Sequence, residues 1–399
     1  MNFPVFIAGA GVISPIGHSV AENLAALENS AAGMGEMQFL QSAHRHKLPV
    51  AEVKMSNDQL AVKAGLPAHI SRTALLSAIA VKEAVERAGI NDFTNLRTGF
   101  ISANTVGGMD KTEDFFSDFL QHPSQGKLRK VVHHECGAAT ELVADLLGIK
   151  HYVSTISTAC SSSANAIFFG ARLIRQNKLD LVIAGGTDAL TRFTLNGFNT
   201  LMIVDQQYCQ PFDAHRRGLN LGEGAGYVVL VSEKAARTLN MSPVGTLSGY
   251  CNANDAYHQT ASSPDGTGSY LAMKGALQQS GLQPADIDYI NLHGTGTQNN
   301  DIAEGTAIKI LFQGHYPPMS STKSFTGHTL GASGGIEAVF AVLAIEHGLI
   351  YPNLRLETPM KELPFVPEKT FKRGVNVRNV LSNSFGFGGN CSSLIFSKL

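Results

Sequence analysis

The chain has 399 residues, 44% of them hydrophobic and 16% charged, with 40 glycines and a formal net charge of −1. Its length exceeds one ordinary domain and can bury a large core, and a near-neutral charge without a basic run argues against nucleic acid as a main partner. Five irregularly spaced cysteines, a start (MNFPVFIAGAG) without signal-peptide character and a longest C-terminal apolar run of only Ala338 to Ile345 argue against a disulfide framework, secretion and a membrane span. A soluble cytoplasmic protein is expected.

The first predicted element is a glycine-bearing apolar strand, VFIAGAGVIS (5–14). Its opening is similar to a dinucleotide-binding loop, but Ser14 stands where the third glycine belongs, so a tight turn after a strand is the reading. Ser77 to Phe93 forms an amphipathic helix that stops at Gly89, where a left-handed cap is wanted, and the strand TGFISAN (98–104) follows. Residues 30–60 and 105–135 are polar and irregular, and read as excursions of the kind that build substrate entrances or subunit contacts. Within the second, His133-His134-Glu135 is not read as a metal site, because adjacent histidines on a regular element face different ways.

Next comes the β-branched stretch Tyr152 to Ile156, then Cys160 in TACSSS, then an apolar pattern at helical spacing from Ala164 to Leu173. The thiol is thus expected at a strand-to-helix turn, where the helix macrodipole and free backbone N–H groups stabilise a thiolate. Cys136, Cys209 and Cys251 lack such a setting and read as small buried hydrophobes. Two histidines in Gly/Thr-rich surroundings follow, His293 in NLHGTGTQ and His328 in STKSFTGHTLGASGG. One cysteine with two distant histidines is a constellation for covalent acyl chemistry.

The second part of the chain repeats the layout of the first. It opens with VGTLSGYCNA (244–253), continues with a helix from Tyr270 to Ile287 that stops at Gly281, and then the strand DYINLHG (288–294). Later in each part comes a small-residue strand-to-helix turn, TACSSS in one and TKSFTGHTLGASG in the other. Alternating strands and helices imply largely parallel sheets between helix layers. The expectation is a duplicated α/β unit with halves at 1–240 and 244–399.

TACSSS, HGTGT, KSFTGHTLGASGG, NSFGFGGNCSSLIF and FDAHRRGLNLGEGAGYVVLVSE (212–233) together resemble the β-ketoacyl-[acyl-carrier-protein] synthases, the elongating type II enzymes of the thiolase superfamily. The likeness runs in order over essentially the whole chain. It implies an α/β thiolase-like fold, with duplicated halves and mixed sheets layered between helices. It also implies an acyl carrier protein as partner, its phosphopantetheine arm as substrate carrier, no bound cofactor or metal, and a homodimer or a heterodimer with a ketosynthase-like subunit.

The implied chemistry is acyl transfer to Cys160, then decarboxylation of malonyl carrier protein to an enolate that attacks the Cys160 thioester. By resemblance, His293 and His328 donate N–H groups to the enolate oxygen, and the backbone N–H groups of Cys160 and Phe387 form the acyl oxyanion hole. Lys323 and Glu337 form an ion pair that holds the surroundings of the second histidine, and Thr295 and Thr297 offer hydroxyls to the arm. Phe387, between Gly386 and Gly388-Gly389, is a gate with glycine hinges. Val106 and Phe198 line the acyl pocket.

Three departures from the family pattern bear on carrier and acyl chain rather than on chemistry. NTLMIVDQQYCQP (199–211) is short and lacks the arginine that helps grip the carrier, Arg217 replaces an Asp or Asn, and NCSS replaces a frequent Thr-Asn-Gly. A thiolase would place a second catalytic cysteine in a C-x-G setting, which Cys391 lacks. A non-catalytic chain-length partner would lack the nucleophile. An active ketosynthase of a specialised polyketide or polyene pathway, paired with such a partner, stays open.

Overall fold

The structure is a computed structural model that describes residues 4–124 and 126–399. The described residues hold twelve strands: β1 (Val5–Ile13), β2 (Thr98–Ala103), β3 (Tyr152–Ile156), β4 (Leu181–Asp188), β5 (Gly224–Ser232), β6 (Gly245–Asn254), β7 (Tyr289–Asn291), β8 (Met319–Ser320), β9 (Leu349–Ile350), β10 (Lys372–Arg373), β11 (Asn379–Gly386) and β12 (Asn390–Ser397). Ten of them form one sheet in the order β3-β2-β4-β5-β1-β6-β12-β11-β7-β8, and β9 pairs with β10.

Read inward from its two ends, this sheet states the same topology twice. β3-β2-β4-β5-β1 corresponds to β8-β7-β11-β12-β6 in order and in strand direction. The two sets meet where Phe6 pairs with Thr246 and Ile7 with Gly245. The expectation of largely parallel sheets is corrected here, because only the outer pairings of each set are parallel. In the second set the physical reason is visible. β11 and β12 are joined by Phe387–Gly389 alone, and so short a connection permits only an antiparallel neighbour.

Glycines bring layers close. A Cβ on Gly9 would lie 2.5 Å from the Ala84 carbonyl oxygen and one on Gly11 2.1 Å from that of Ala80. The GAG run therefore seats the helix Arg72–Arg87 on β1. The helices Ser162–Arg175 and Ser333–His347 pack against strands of both sets, β4 and β5 on one side and β11 or β12 on the other. The segment Leu330–His347 is apolar and long enough to cross a membrane by composition, longer than the run read from the sequence, and 89% of it is buried in this central layer.

The predicted elements stand close to their expected places. The helix ending at Gly89 begins earlier than expected, at Arg72, because the Ser71 side chain accepts the Ala74 N–H as a cap. The helix Thr267–Ser280 ends at Gly281, whose φ is +76°, and Pro284–Asp286 is a separate turn. The 105–135 excursion is not irregular throughout. It carries the helix Met109–Gln121, none of whose residues is buried, with Phe116, Phe119 and Leu120 exposed. Phe115, Phe116, Phe119 and Leu120 recur at helical spacing among acidic residues, a periodic signal that the polar composition of the segment masked.

Candidate active site

Four segments that leave the sheet at carboxyl ends of strands converge. Cys160 follows β3, His293 follows β7, Lys323 and His328 follow β8, and Phe385 to Phe387 close β11. Between them lies a cavity of about 340 Å³, lined among others by Cys160, Phe198, His293, Thr295, Thr297, His328 and Phe387. Lys323 and Glu337 lie behind this wall. Val106 packs in an apolar cluster with Leu190, Leu195, Leu219 and Leu330, beside half-buried Phe198, and does not line the cavity. Phe198 reaches it from the helix Arg192–Thr200 and stacks on the Phe387 ring, centroids 5.6 Å apart.

The turn that holds Cys160 is strained and tightly enclosed. Ala159 before it has φ +54°, a left-handed conformation unusual for a residue with a Cβ. The Thr158 N–H donates to Ser162 Oγ at 2.8 Å. A Cβ on Gly386 would lie 3.0 Å from the Thr158 carbonyl oxygen and 3.2 Å from the Cys160 amide nitrogen, so the end of β11 rests on this turn. Cys160 is only 5% exposed. Burial pushes its thiol up to about 11, against the lowering effects of the Lys323 charge and of the Phe387 N–H. The sequence places this thiol at a helix N-terminus, and in so enclosed a position desolvation of the anion opposes that stabilisation.

The two imidazoles are neutral, and their tautomers follow from their partners. Burial first, then the Lys323 charge, holds both His293 and His328 well below the ordinary histidine range. The Leu330 backbone N–H donates to His328 Nδ1 at 3.0 Å, so the proton of this ring sits on Nε2. The Lys323 ammonium lies 3.3 Å from His293 Nδ1, which makes that nitrogen an acceptor and leaves the proton on Nε2 there too. The rings stand edge to face, 5.6 Å apart. Lys323 therefore acts on the first histidine directly, whereas the resemblance assigned the ion pair to the surroundings of the second. The Lys323–Glu337 pair is present and buried, and burial raises the Glu337 carboxyl to about 7.

Two more sequence readings are resolved by position. Cys391 lies buried in β12 against Ala272 and Phe385, away from the cavity lining, so no second thiol faces Cys160. His134 Nδ1 sits 2.9 Å from Thr112 Oγ1, and the His133 ring lies 6.3 Å from that of His69.

Residues 2–236 match the family described as "Beta-ketoacyl synthase, N-terminal domain", and residues 244–357 match "Beta-ketoacyl synthase, C-terminal domain". The chain belongs to the β-ketoacyl synthase family. It is 32% identical over 413 residues to 3-oxoacyl-[acyl-carrier-protein] synthase 2 of Staphylococcus aureus, covering 100% of this chain and 99% of the relative. Among solved structures, the ishigamide ketosynthase/chain length factor superposes with a TM-score of 0.93 at 28% identity, over the whole of both chains. The ketosynthase ApeO in complex with its chain length factor ApeC, from Xenorhabdus doucetiae, gives 0.87 at 31%, covering 100% of this chain and 98% of that one. The fold is thus the thiolase-like α/β fold of these ketosynthases.

Three buried carboxylates that shape the ketosynthase site escaped the sequence reading. Glu304 accepts the N–H groups of His293 and Gly294, at 2.9 and 2.8 Å, and so sets the loop that presents the first imidazole. Asp301, one turn earlier on the helix Gln298–Phe312, accepts the Phe212 and Gly296 N–H groups. Asp188 at the end of β4 accepts from Thr105, Val106 and Gly331, tying the VGGM loop to the loop after His328. In the sequence only Asp188 carries a signal, as the acid that ends the apolar run LVIAGGTD, whereas Asp301 and Glu304 look like ordinary acids on a helix. Buried acids in such places are there to receive backbone donors.

Proposed function

We propose that this ketosynthase catalyses decarboxylative Claisen condensation of an acyl group held on Cys160 with malonyl-acyl carrier protein. The observation that carries this reading is one cavity holding a buried thiol approached by a backbone N–H and two neutral imidazoles whose protons sit on Nε2. In the first half-reaction Cys160 Sγ bonds to the acyl carbonyl carbon, the carrier C–S bond breaks, and the Cys160 proton leaves on the carrier thiol. The N–H groups of Cys160 and Phe387 stabilise the tetrahedral oxyanion. In the second, the malonyl carboxylate departs as CO₂, and the charge left on the enolate oxygen meets the Nε2–H groups of His293 and His328. The enolate carbon bonds to the acyl carbon, the Cys160 C–S bond breaks, and the freed thiolate takes a proton.

A neutral donor suits this task better than an imidazolium. An imidazolium would also hold the malonyl carboxylate in the ground state, and only interactions stronger in the transition state accelerate the step. Burial keeps His293 neutral, and Lys323, paired with Glu337 behind the wall, adds to this and polarises the ring. Thr295 and Thr297, whose hydroxyls lie 2.9 Å apart, would receive the phosphopantetheine arm. Residues 1–240 would then form the half that carries the nucleophile and 244–399 the half that carries the two histidines. Five free thiols fit a cytoplasmic enzyme.

The carrier protein is the proposed partner, with a homodimer as the assembly. A heterodimer with a ketosynthase-like subunit in a polyketide or polyene pathway is a second reading, favoured by the chain length factors named with two of the similar structures.

Phe387 has two proposed jobs, a backbone donor and a side chain that closes the pocket. Phe387→Ala keeps the N–H and removes the bulk and the stacking on Phe198. A severalfold fall in condensation is expected, with malonyl carrier protein decarboxylating before any acyl chain has loaded. Gly386→Ala should be less forgiving, since its new Cβ presses on the Cys160 turn. The check is CO₂ release without acyl donor, where equal rates in wild type and Phe387→Ala would make Phe387 a static wall residue.

A further inference from the structure

The cavity wall contains one side chain with a formal charge at neutral pH, Arg217, since both histidines are neutral and the other described lining residues are uncharged. Its place is the rim rather than the floor. Its side chain is 53% exposed and its neighbour in the wall, Met202, is 88% exposed, whereas Cys160 is buried. The guanidinium is tethered on one side only. Nη2 donates to Gln207 Oε1 at 2.6 Å and lies 3.3 Å from Oδ1 of buried Asp205, while Nε and Nη1 have no protein partner among the described residues. A fork anchored by one nitrogen, with two donors left over at the mouth of an otherwise uncharged cavity, is suited to an anion arriving from outside.

We propose that Arg217 binds the phosphodiester of the phosphopantetheine arm and so selects carrier-bound over phosphate-free thioesters. This rests on the ketosynthase reading, in which the arm enters through this mouth with its thioester at Cys160 and its phosphate outermost. The alternative anion on the same substrate is the malonyl carboxylate. That group must sit beside the two imidazoles, far from the rim. A guanidinium on it would also stabilise the ground state that has to lose CO₂. The rim position therefore favours the phosphate.

The test follows acyl loading of Cys160 by intact mass, using acyl-pantetheine and the methyl phosphodiester of the same acyl-phosphopantetheine, with acyl groups from acetyl to octanoyl. Wild type is expected to prefer the phosphodiester by roughly fivefold, the modest value of a half-exposed charged contact, with the preference shrinking as salt rises. Arg217→Gln should bring the ratio of kcat/KM values close to one, and Arg217→Lys should restore part of it. The same ratio in wild type and Arg217→Gln would overturn the proposal. So would an equal slowing of both donors, which would mark Arg217 as a structural partner of Asp205. A selective loss of malonyl-pantetheine decarboxylation would overturn it too, by assigning Arg217 to the carboxylate. No mass shift in wild type with any donor would overturn the ketosynthase reading itself, and this proposal with it.

Discussion

Cys160→Ala is expected to abolish acyl loading and chain extension while leaving the fold intact. The side chain is enclosed by backbone and by Gly386, and alanine fits that space without new contacts. Loss of a covalent nucleophile costs on the order of a millionfold in turnover, so no condensation should be measurable. Cys160→Gln places an amide where an acylated sulfur would stand, and is expected to retain decarboxylation of malonyl carrier protein. Intact mass after incubation with acyl carrier protein, alongside CO₂ release, separates the two variants. Normal condensation by the alanine variant would sink the assignment. The thiol raised to about 11 adds a pH signature. A raised thiol is almost wholly protonated at neutral pH, and its thiolate fraction grows about tenfold per pH unit until that value is reached. Alkylation of Cys160 by iodoacetamide should therefore still be climbing at pH 9. A plateau below pH 8 would mean that the helix terminus and Lys323 overcome burial after all.

Removing either imidazole is expected to strike decarboxylation harder than acyl transfer. One such donor is worth about 3 kcal/mol at a developing oxyanion, so His293→Ala and His328→Ala should each lose roughly a hundredfold or more in CO₂ release from malonyl carrier protein. Acyl loading should fall much less, because its oxyanion is served by the N–H groups of Cys160 and Phe387. The two variants should also differ from each other. His293→Ala frees the Lys323 ammonium to face the cavity with only Glu337 as partner, whereas His328→Ala strips an acceptor from the Leu330 N–H and from Ser333. Loading rates by mass and decarboxylation by released CO₂, compared within each variant, decide the matter. Wild-type decarboxylation by both would show the proposed roles to be wrong.

Much of this site was legible because its chemistry sits in short motifs on sharp turns. A cysteine between small residues, two histidines each beside a glycine and a Phe in a Gly-Phe-Gly setting each carry their own local reason for being there. The acids that hold these loops were not legible in the same way. Glu304 lies eleven residues after His293 and looks, in one dimension, like any acid on a helix. Only the packing of the helix Gln298–Phe312 shows that it points inward, to two backbone N–H groups. The contact between Val106 and Phe198 is of the same kind: the two lie far apart in the chain, and only the fold brings them into one apolar cluster.

By itself the sequence determined the duplicated strand–helix layout, the glycine stops at Gly89 and Gly281, and which thiol and which two histidines are the candidates for the site. These depend on local periodicity, on φ and on residue type, which a linear chain displays. Tertiary structure alone decided which strands run antiparallel, which histidine Lys323 touches, and which nitrogen of each ring keeps its proton. It also decided how deeply the Cys160 thiol is buried. Each of these is a balance between groups far apart in the chain. Desolvation in particular is set by whatever segments happen to cover a residue, so its weight at Cys160 appears only once β11, the loop after β7 and the loop after β8 close over the turn.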